Sequence, residues 1–441
     1  MRKLIALRVC GLAISVFSSV DFVASAANAG GLAVREQSTE FQGLSFAGDA
    51  AAGGGLSGMF WNPAVAAYAP KGFSAEVDGA AVFGNLEIKA LPGTTGLGVN
   101  GLSPDTGNME RLALVPSAYL AYRLSPEAVI ALSINSPFGL NTDPANRDWV
   151  GQTHNRLSRI KTSDVSPSIA FRLMPGLSIG AGVQIDHIES TFQNAISQAL
   201  GAPDISVTGD DTAVGYTAGL NWNPAPQTSV GLGYRSEISH KLKGTISIPG
   251  SPNPAFAAGN PIATDVTLPD MITLSVRQGI NDRLRVMGTV EWTHWSDLQK
   301  LQVDCPSLGL PFCTNQVANV VPLHWVDGWM FALGGEYDVS RQLKLRSGIA
   351  YELSPMQDPK NRTTGIPDQN RLSLSGGSTF AINDMISVDL AYSHFWGLGG
   401  ITDRNKPPTL PLVPFFVRIV GDVDESADIV SASLKLKLGG P

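Results

Sequence analysis

The sequence predicts an all-β transmembrane protein, an antiparallel outer-membrane β-barrel of about fourteen strands with an N-terminal plug inside its lumen. Three observations lead there. Apolar residues recur at every second position through most of the chain, yet no run of about 18 uncharged apolar residues follows the N-terminus. Short and long connectors alternate between the periodic segments. One early stretch, rich in glycine and alanine, follows neither a strand nor a helix period.

Composition agrees with this reading. Charged residues make up 16% of the 441, below the usual quarter, while hydrophobic residues reach 43%. A chain that is apolar in total but never continuously so spreads its hydrophobicity over short alternating strands. The net charge of −7 leaves no basic stripe to neutralise phosphates, which argues against nucleic acid as a partner.

Residues 1–29 read as a signal peptide. Arg2 and Lys3 form its charged region, Val9–Val20 its apolar region, and Ala27-Asn28-Ala29 its small-residue cleavage site, which leaves Gly30 as the new N-terminus. Nearly all of the apolar run follows Cys10 rather than preceding it, so Cys10 does not mark a lipoprotein. Residues 30–70 form the plug. Their glycines are too many for a stable helix, and they end in Asn62-Pro63-Ala64 shortly before Pro70.

The barrel takes residues 71–441. Phe73, Ala75 and Val77 open the alternation; Val165, Ile169, Phe171 and Leu173 share a face opposite Ser166, Ser168 and Arg172. Val430, Ala432, Leu434, Leu436 and Leu438 alternate with Ser431, Ser433, Lys435 and Lys437 near the end. In a bilayer this pattern describes strands with one face to lipid and one to a polar lumen. Short turns are expected at Leu124–Glu127, Met174–Gly176, Asn223–Gln227, Gly279–Asp282, Asp338–Gln342 and Ile382–Met385, with long loops between them. That is the sidedness of an outer-membrane barrel, both termini periplasmic. Tyr119, Tyr122, Trp222, Tyr234, Trp292, Trp295, Trp325, Trp329, Tyr392, Phe395 and Trp396 lie near segment ends and are expected to form the aromatic girdles.

Catalytic signals are weak. Gly53–Gly58 and Gly96–Gly101 fit GxGxxG, but neither sits in a strand–turn–helix unit, so both read as loops. There is no GxSxG elbow and no Walker loop, and His154, His187, His240, His294, His324 and His394 show no paired ligand spacing. No enzyme activity, cofactor or metal is expected. In an exported chain Cys305 and Cys313 are expected to form a disulfide, the alternative being two free thiols in a surface loop.

Alternation turns Arg172, Arg235, Glu237, Arg277, Arg285, Glu291, Lys344, Arg346 and Glu352 inward. Most suit ion pairs that brace the barrel; Arg346, Lys344 and Arg159 are the candidates to meet a ligand carboxylate. The long loops are apolar: Phe138, Leu140 and Trp149 in one, Leu308, Leu310 and Phe312 in another, and Leu410, Leu412, Val413, Phe415 and Phe416 in a third. Such patches mark a binding surface or loops packed over the barrel mouth.

Taken together, these residues resemble the FadL family of outer-membrane transporters for long-chain fatty acids and other hydrophobic compounds. Asn62-Pro63-Ala64 is similar to the NPA motif of that family's hatch, and Ser136-Pro137-Phe138-Gly139-Leu140 matches the segment after its third strand. Gly209-Asp210-Asp211, Tyr234–Glu237, Leu268-Pro269-Asp270 and Trp292–Ser296 fit its middle barrel. The fullest match runs from Arg346–Tyr351 through Ser354-Pro355 to Ile366–Arg371.

The resemblance implies a plugged barrel and passive uptake. Ligand is captured among the loops, held in the lumen, and released sideways near a kinked third strand when the hatch shifts, with Asn62–Ala64 packed against that strand. Long-chain fatty acids are the expected ligand, and aromatic hydrocarbons the alternative. The expected partners are these ligands and outer-membrane lipid, with the protein a monomer. A general porin, a membrane lipase and a purely structural barrel are the rivals. Barrels of this kind usually end on an aromatic residue, whereas this sequence ends Leu438-Gly439-Gly440-Pro441.

Overall fold

The computed structural model describes residues 30–98, 101–305, 317–406 and 417–439. The signal peptide expected over residues 1–29, together with Leu308, Leu310, Phe312, Cys313 and the apolar run 410–416, lies outside the described residues.

Among the described residues, the segments of one 20-stranded antiparallel sheet join into a closed 14-strand wall. The first strands are β1 (Phe73–Ala90), β2 (Ala113–Arg123) and β3 (Ala128–Asn135, resuming at Gly139–Thr142). Next come β4 (Leu157–Met174), β5 (Leu177–Ala195) and β6 (Asp204–Ala225). In β7 (Thr228–Arg235 and Ile238–Ser247) and β8 (Asn260–Leu268 and Met271–Gly279) the strand is interrupted once. The same holds for β9 (Leu284–Thr293 and Lys300–Asp304) and β10 (Val317–Pro322 and Gly328–Asp338). The last four are β11 (Leu343–Leu353), β12 (Arg371–Ala381), β13 (Ile386–Gly397 and Gly400–Lys406) and β14 (Val417–Lys437). β14 returns to β1 in continuous register, from Ser74 opposite Lys437 to Ala90 opposite Gly421, so the sheet closes on itself.

Burial decides which solvent the wall meets. Val214 and Leu333 on the outer face are 69% and 68% exposed, whereas Asp164, Asp186, Glu291 and Glu336 on the inner face are buried. A water-soluble sandwich reverses that arrangement; a bilayer demands it. No helix among the described residues is long and apolar enough to cross a membrane. The six short turns fall where the sequence places them.

Residues 30–70 lie inside this wall. Phe41, Leu44, Phe46, Phe60 and Trp61 make an apolar knot against Tyr119, Met287 and Met330 of the inner wall. Trp61 takes the edges of Phe60 at 5.0 Å and Phe41 at 5.8 Å. Two wall glycines permit the fit: a Cβ on Gly348 would fall 1.9 Å from Leu44 O, and one on Gly219 1.9 Å from Asn62 Oδ1.

The wall has one break that the plug fills. Pairing of β2 with β3 stops at Ala118–Ile134. Beyond it Ser136-Pro137-Phe138 leaves the sheet, since Pro137 has no N–H to donate. The plug's backbone substitutes: Val34 N donates to Pro137 O at 2.8 Å, and Gly139 N donates to Leu32 O at 2.8 Å.

The girdle expectation needs correction in part. Tyr122, Trp222, Trp329, Tyr392 and Trp396 are exposed on the outer face, but Tyr119, Trp295, Trp325 and Phe395 are buried inside the barrel. Trp295 and Trp325 lie in strand interruptions that shift the alternation, whereas Tyr119 and Phe395 face inward by plain alternation, opposite Tyr122 and Trp396. One such interruption, at Ser236-Glu237, turns Glu237 outward, against the reading that placed it in the lumen.

If lipid faces the outer wall, Leu333→Arg costs about 2–4 kcal/mol of barrel stability while Leu333→Phe is nearly neutral. Urea unfolding in phospholipid vesicles measures both, and equal midpoints for the two variants would contradict the assigned face.

Candidate functional site

At the long-loop end of the barrel lies a cavity of about 170 Å³. Alternate positions supply its walls: Ser158 and Ile160 from β4, Ile188, Ser190 and Phe192 from β5, Leu242 from β7. Leu298, Leu323 and Ile366 come from the connecting segments, and Leu32 from the plug. Among the described residues, no Asp, Glu, Lys or Arg lines it. Its polar contributions are hydroxyls and amides such as Ser190, which donates to Gly209 O, and His154, whose Nε2 lies 2.8 Å from Val417 O. The chamber therefore suits an apolar body with at most a neutral hydrogen-bonding end.

Phe138 and Leu140 are buried in the same apolar cluster as Leu32, with Phe138 edge-on to Trp295 at 6.0 Å. They back the chamber rather than project from a loop. The three cations proposed from sequence are not brought to it. Arg159 is exposed on the face opposite Ser158 and Ile160, and its Nε donates to Asn141 Oδ1 at 3.3 Å.

Lys344 and Arg346 sit at the other end of the lumen, just past the turn that opens β11. Lys344 pairs with Glu336 at 3.5 Å. Arg346 meets Asp389 and Glu336 at 3.2 Å each and Glu40 at 3.6 Å, and donates to Thr379 Oγ1 at 2.6 Å. Alternation fixes which side of a strand a residue faces, not its height. At about 3.3 Å per residue, a cation three positions above the turn lies far from the long-loop end.

Two charged layers tie the plug to the wall, and the sequence reading missed both plug residues. In the upper layer Arg35 donates to Glu291 through Nη1 and to Glu352 through Nε at 3.0 Å and Nη2 at 2.6 Å. In the lower layer Glu40 accepts from Lys435, which also lies 2.8 Å from Asp389. The signal was available: Arg35, Glu36, Glu40 and Asp49 are the only charges in residues 30–70. A charge in a segment destined for burial demands a partner.

Asn62 caps the short turn Pro63–Tyr68, its Oδ1 accepting from Ala64 N at 3.0 Å, with Pro63 at the first helical position. Its Nδ2 donates to Ala50 O at 2.7 Å and to Leu220 O of β6 at 3.0 Å. This corrects the expectation that Asn62–Ala64 pack on the third strand: Asn62 bonds β6, Pro63 and Ala64 lie against Gly180 of β5, and it is Ala66 and Ala67, further along the same turn, that share a cluster with Val129 of β3. Cys305 is disulfide-bonded.

Among the described residues, two groups of three have ligand atoms within 4.8 Å of one another, Asp270/His294/Asp297 and Glu40/Glu76/Asp389. The second already encloses the Lys435 ammonium, so its charge is met without a metal.

The family model for outer membrane protein transport protein (OMPP1/FadL/TodX) matches residues 20–437. The chain belongs to this family. Outer membrane protein P1 of Haemophilus influenzae is 25% identical over 415 residues, covering 85% of this chain and 87% of that one. The long-chain fatty acid transport protein of Escherichia coli is 24% identical over 420 residues, covering 86% and 90%. A Pseudomonas aeruginosa FadL homologue has the same fold, with a TM-score of 0.80 at 21% identity over 93% of this chain and 100% of that one. The Pseudomonas putida toluene transporter TodX scores 0.64 at 14% identity, covering 91% and 99%. As a family member the protein is an outer-membrane transporter of hydrophobic substrates, and the family consists of transport channels rather than enzymes.

Arg346→Ala leaves Glu336, Glu40 and Asp389 short of a buried partner and is expected to destabilise the folded state by about 3–5 kcal/mol. It leaves affinity for a ligand in the chamber unchanged within twofold (roughly 0.4 kcal/mol). Denaturant midpoints and tryptophan-quenching titrations check the two halves separately.

Proposed function

We propose that the protein takes up long-chain hydrophobic molecules, fatty acids first among them, by passive diffusion through the chamber and out through the wall beside β3. The observation that carries this is that Leu32, a residue of the plug, forms part of the chamber wall. Its two backbone neighbours in this role, Ala33 and Val34, bridge the break in β3. A ligand that displaces Leu32 therefore pulls on the segment that closes the wall. Phe138 and Leu140 are proposed to hold the chamber wall from behind, Phe312 to meet the ligand, and Asn62-Pro63-Ala64 to anchor the part of the hatch that stays. Arg346, Lys344 and Arg159 are not placed to hold a carboxylate in this chamber.

The uncharged lining favours a second reading, uptake of neutral hydrocarbons, because a buried carboxylate without a partner is costly. The names of two relatives, one a fatty acid transporter and one a toluene transporter, span both readings.

Labelled oleate and labelled toluene supplied to a deletion strain, with and without complementation, separate them. Restored oleate uptake supports the first reading, and toluene uptake alone the second. Rapid sugar flux through the purified protein in liposomes would sink both. Leu242→Glu is expected to lower affinity for the transported ligand by about tenfold or more, since it puts a charge into the chamber wall. A bulky residue at Asn62 impairs uptake while heat-modifiable barrel folding persists.

A further inference from the structure

The buried start of the plug is out of charge balance. Glu36, Glu110, Glu291, Glu352, Asp368 and Glu425 are all buried around it, against Arg35, Arg371 and Arg362 among the described cations. Arg362 spends its donors on the carbonyls of Asp368, Met356 and Ile401. Among the described residues, Oε2 of Glu36 and Oε2 of Glu425 find no hydrogen-bond partner. Carboxyls in such a site either keep a proton or need another cation close by.

Gly30 and Gly31 reach this pocket in left-handed backbone, with φ of +48° and +79°. A Cβ on Gly30 would fall 2.3 Å from Glu352 Oε1, and one on Gly31 would fall 2.8 Å from the Trp295 ring. Gly31 N donates to Asp368 Oδ2 at 2.9 Å, and the same Oδ2 accepts from Ser354 Oγ at 2.6 Å. A stretch without side chains fits between these groups, with the Gly31 nitrogen on Asp368 and the Gly30 Cα beside Glu352.

We propose that the α-ammonium group of Gly30, freed by hydrolysis of the Ala29–Gly30 peptide bond, is the missing cation, and that Glu352 and Asp368 hold it. Water adds across that bond in the envelope's signal-peptide processing, leaving a carboxyl on Ala29 and an amino group on Gly30 that takes up a proton. Before cleavage the same nitrogen is a neutral amide. Docking of the plug's leading end is therefore completed by maturation, and the uncleaved chain lacks the pin. The inference rests on reading residues 1–29 as a signal peptide and 30–70 as the plug.

The test uses the full-length gene, exported normally, with the mature protein purified from outer membranes in detergent. Mass spectrometry reads the N-terminal residue and follows α-amine acetylation by an N-hydroxysuccinimide ester at neutral pH. The expected result is a chain starting at Gly30 whose amine reacts at least tenfold more slowly than in the urea-unfolded protein, the change that about one pK unit produces. Glu352→Gln and Asp368→Asn each recover most of that reactivity while the barrel stays heat-modifiable. Asp368→Asn leaves the Arg35–Glu352 pair intact but also weakens the Arg371–Asp368 pair at 2.7 Å, so recovered reactivity counts only where Glu352→Gln, which spares that pair, recovers it too. A different N-terminal residue, an amine that reacts as fast as in the unfolded chain, or protection unchanged in both variants would overturn the proposal. None of these readouts depends on uptake, so a failure of the transport reading remains distinguishable.

Discussion

A closed hydrogen-bonded wall of this circumference encloses more space than its own inward side chains fill. That constraint organises everything else in the molecule. The wall must close, because an open edge in hydrocarbon leaves N–H and C=O groups without partners. Closure at this size leaves a lumen, and an unobstructed lumen would pass water and solutes. The remedy is a segment of the same chain with few side-chain demands of its own. Its many glycines and alanines let residues 30–70 follow an irregular path, and Gly219 and Gly348 in the wall let its backbone approach closely.

An irregular plug has few backbone hydrogen bonds of its own, so it is held by side chains. The apolar knot around Trp61 supplies burial. The ion pairs of Arg35 and Glu40 supply position, one cation and one anion reaching wall groups of opposite sign at different heights. Buried pairs of this kind add little net stability compared with apolar packing, but they penalise misplacement strongly. A plug held in this way has a well-defined seat and still is not welded to the wall. The contrast with the chamber is instructive, since the chamber is built without such charges. Charge is spent on holding the plug, and the ligand space is left free of it.

Much of this was legible in the sequence because period two reports directly on sidedness. Glu291, Glu352, Arg277 and Arg346 were assigned to the lumen from alternation, and all are buried there. The alternation of short and long connectors placed the turns. What alternation does not carry is height: it points Arg346 and Lys344 into the lumen, and the structure places both on Glu336, away from the apolar chamber. Nor does it survive interruption. The breaks at Ser136–Phe138, Ser236-Glu237 and His294–Gln299 reset which way the next residue points, and Glu237 and Trp295 were misassigned beside two of them. The plug's partners were hidden for another reason: the contact between Gly31 and Asp368 spans 337 positions, and no local pattern encodes it.

The break in β3 is the point where wall, plug and chamber meet. Pro137 withholds a donor, Val34 and Leu32 take over the pairing, and the side chain between those bonds and the ligand space is Leu32 itself. A strand substitute held by two backbone bonds is far easier to withdraw than a full ladder, because little cooperative pairing is lost with it. The two bonds also place the only plug residue in the chamber wall directly at the seam. The seam and the chamber wall thus share one short stretch of the plug, Leu32 to Val34. On the proposed uptake route, a shift of Leu32 disturbs both.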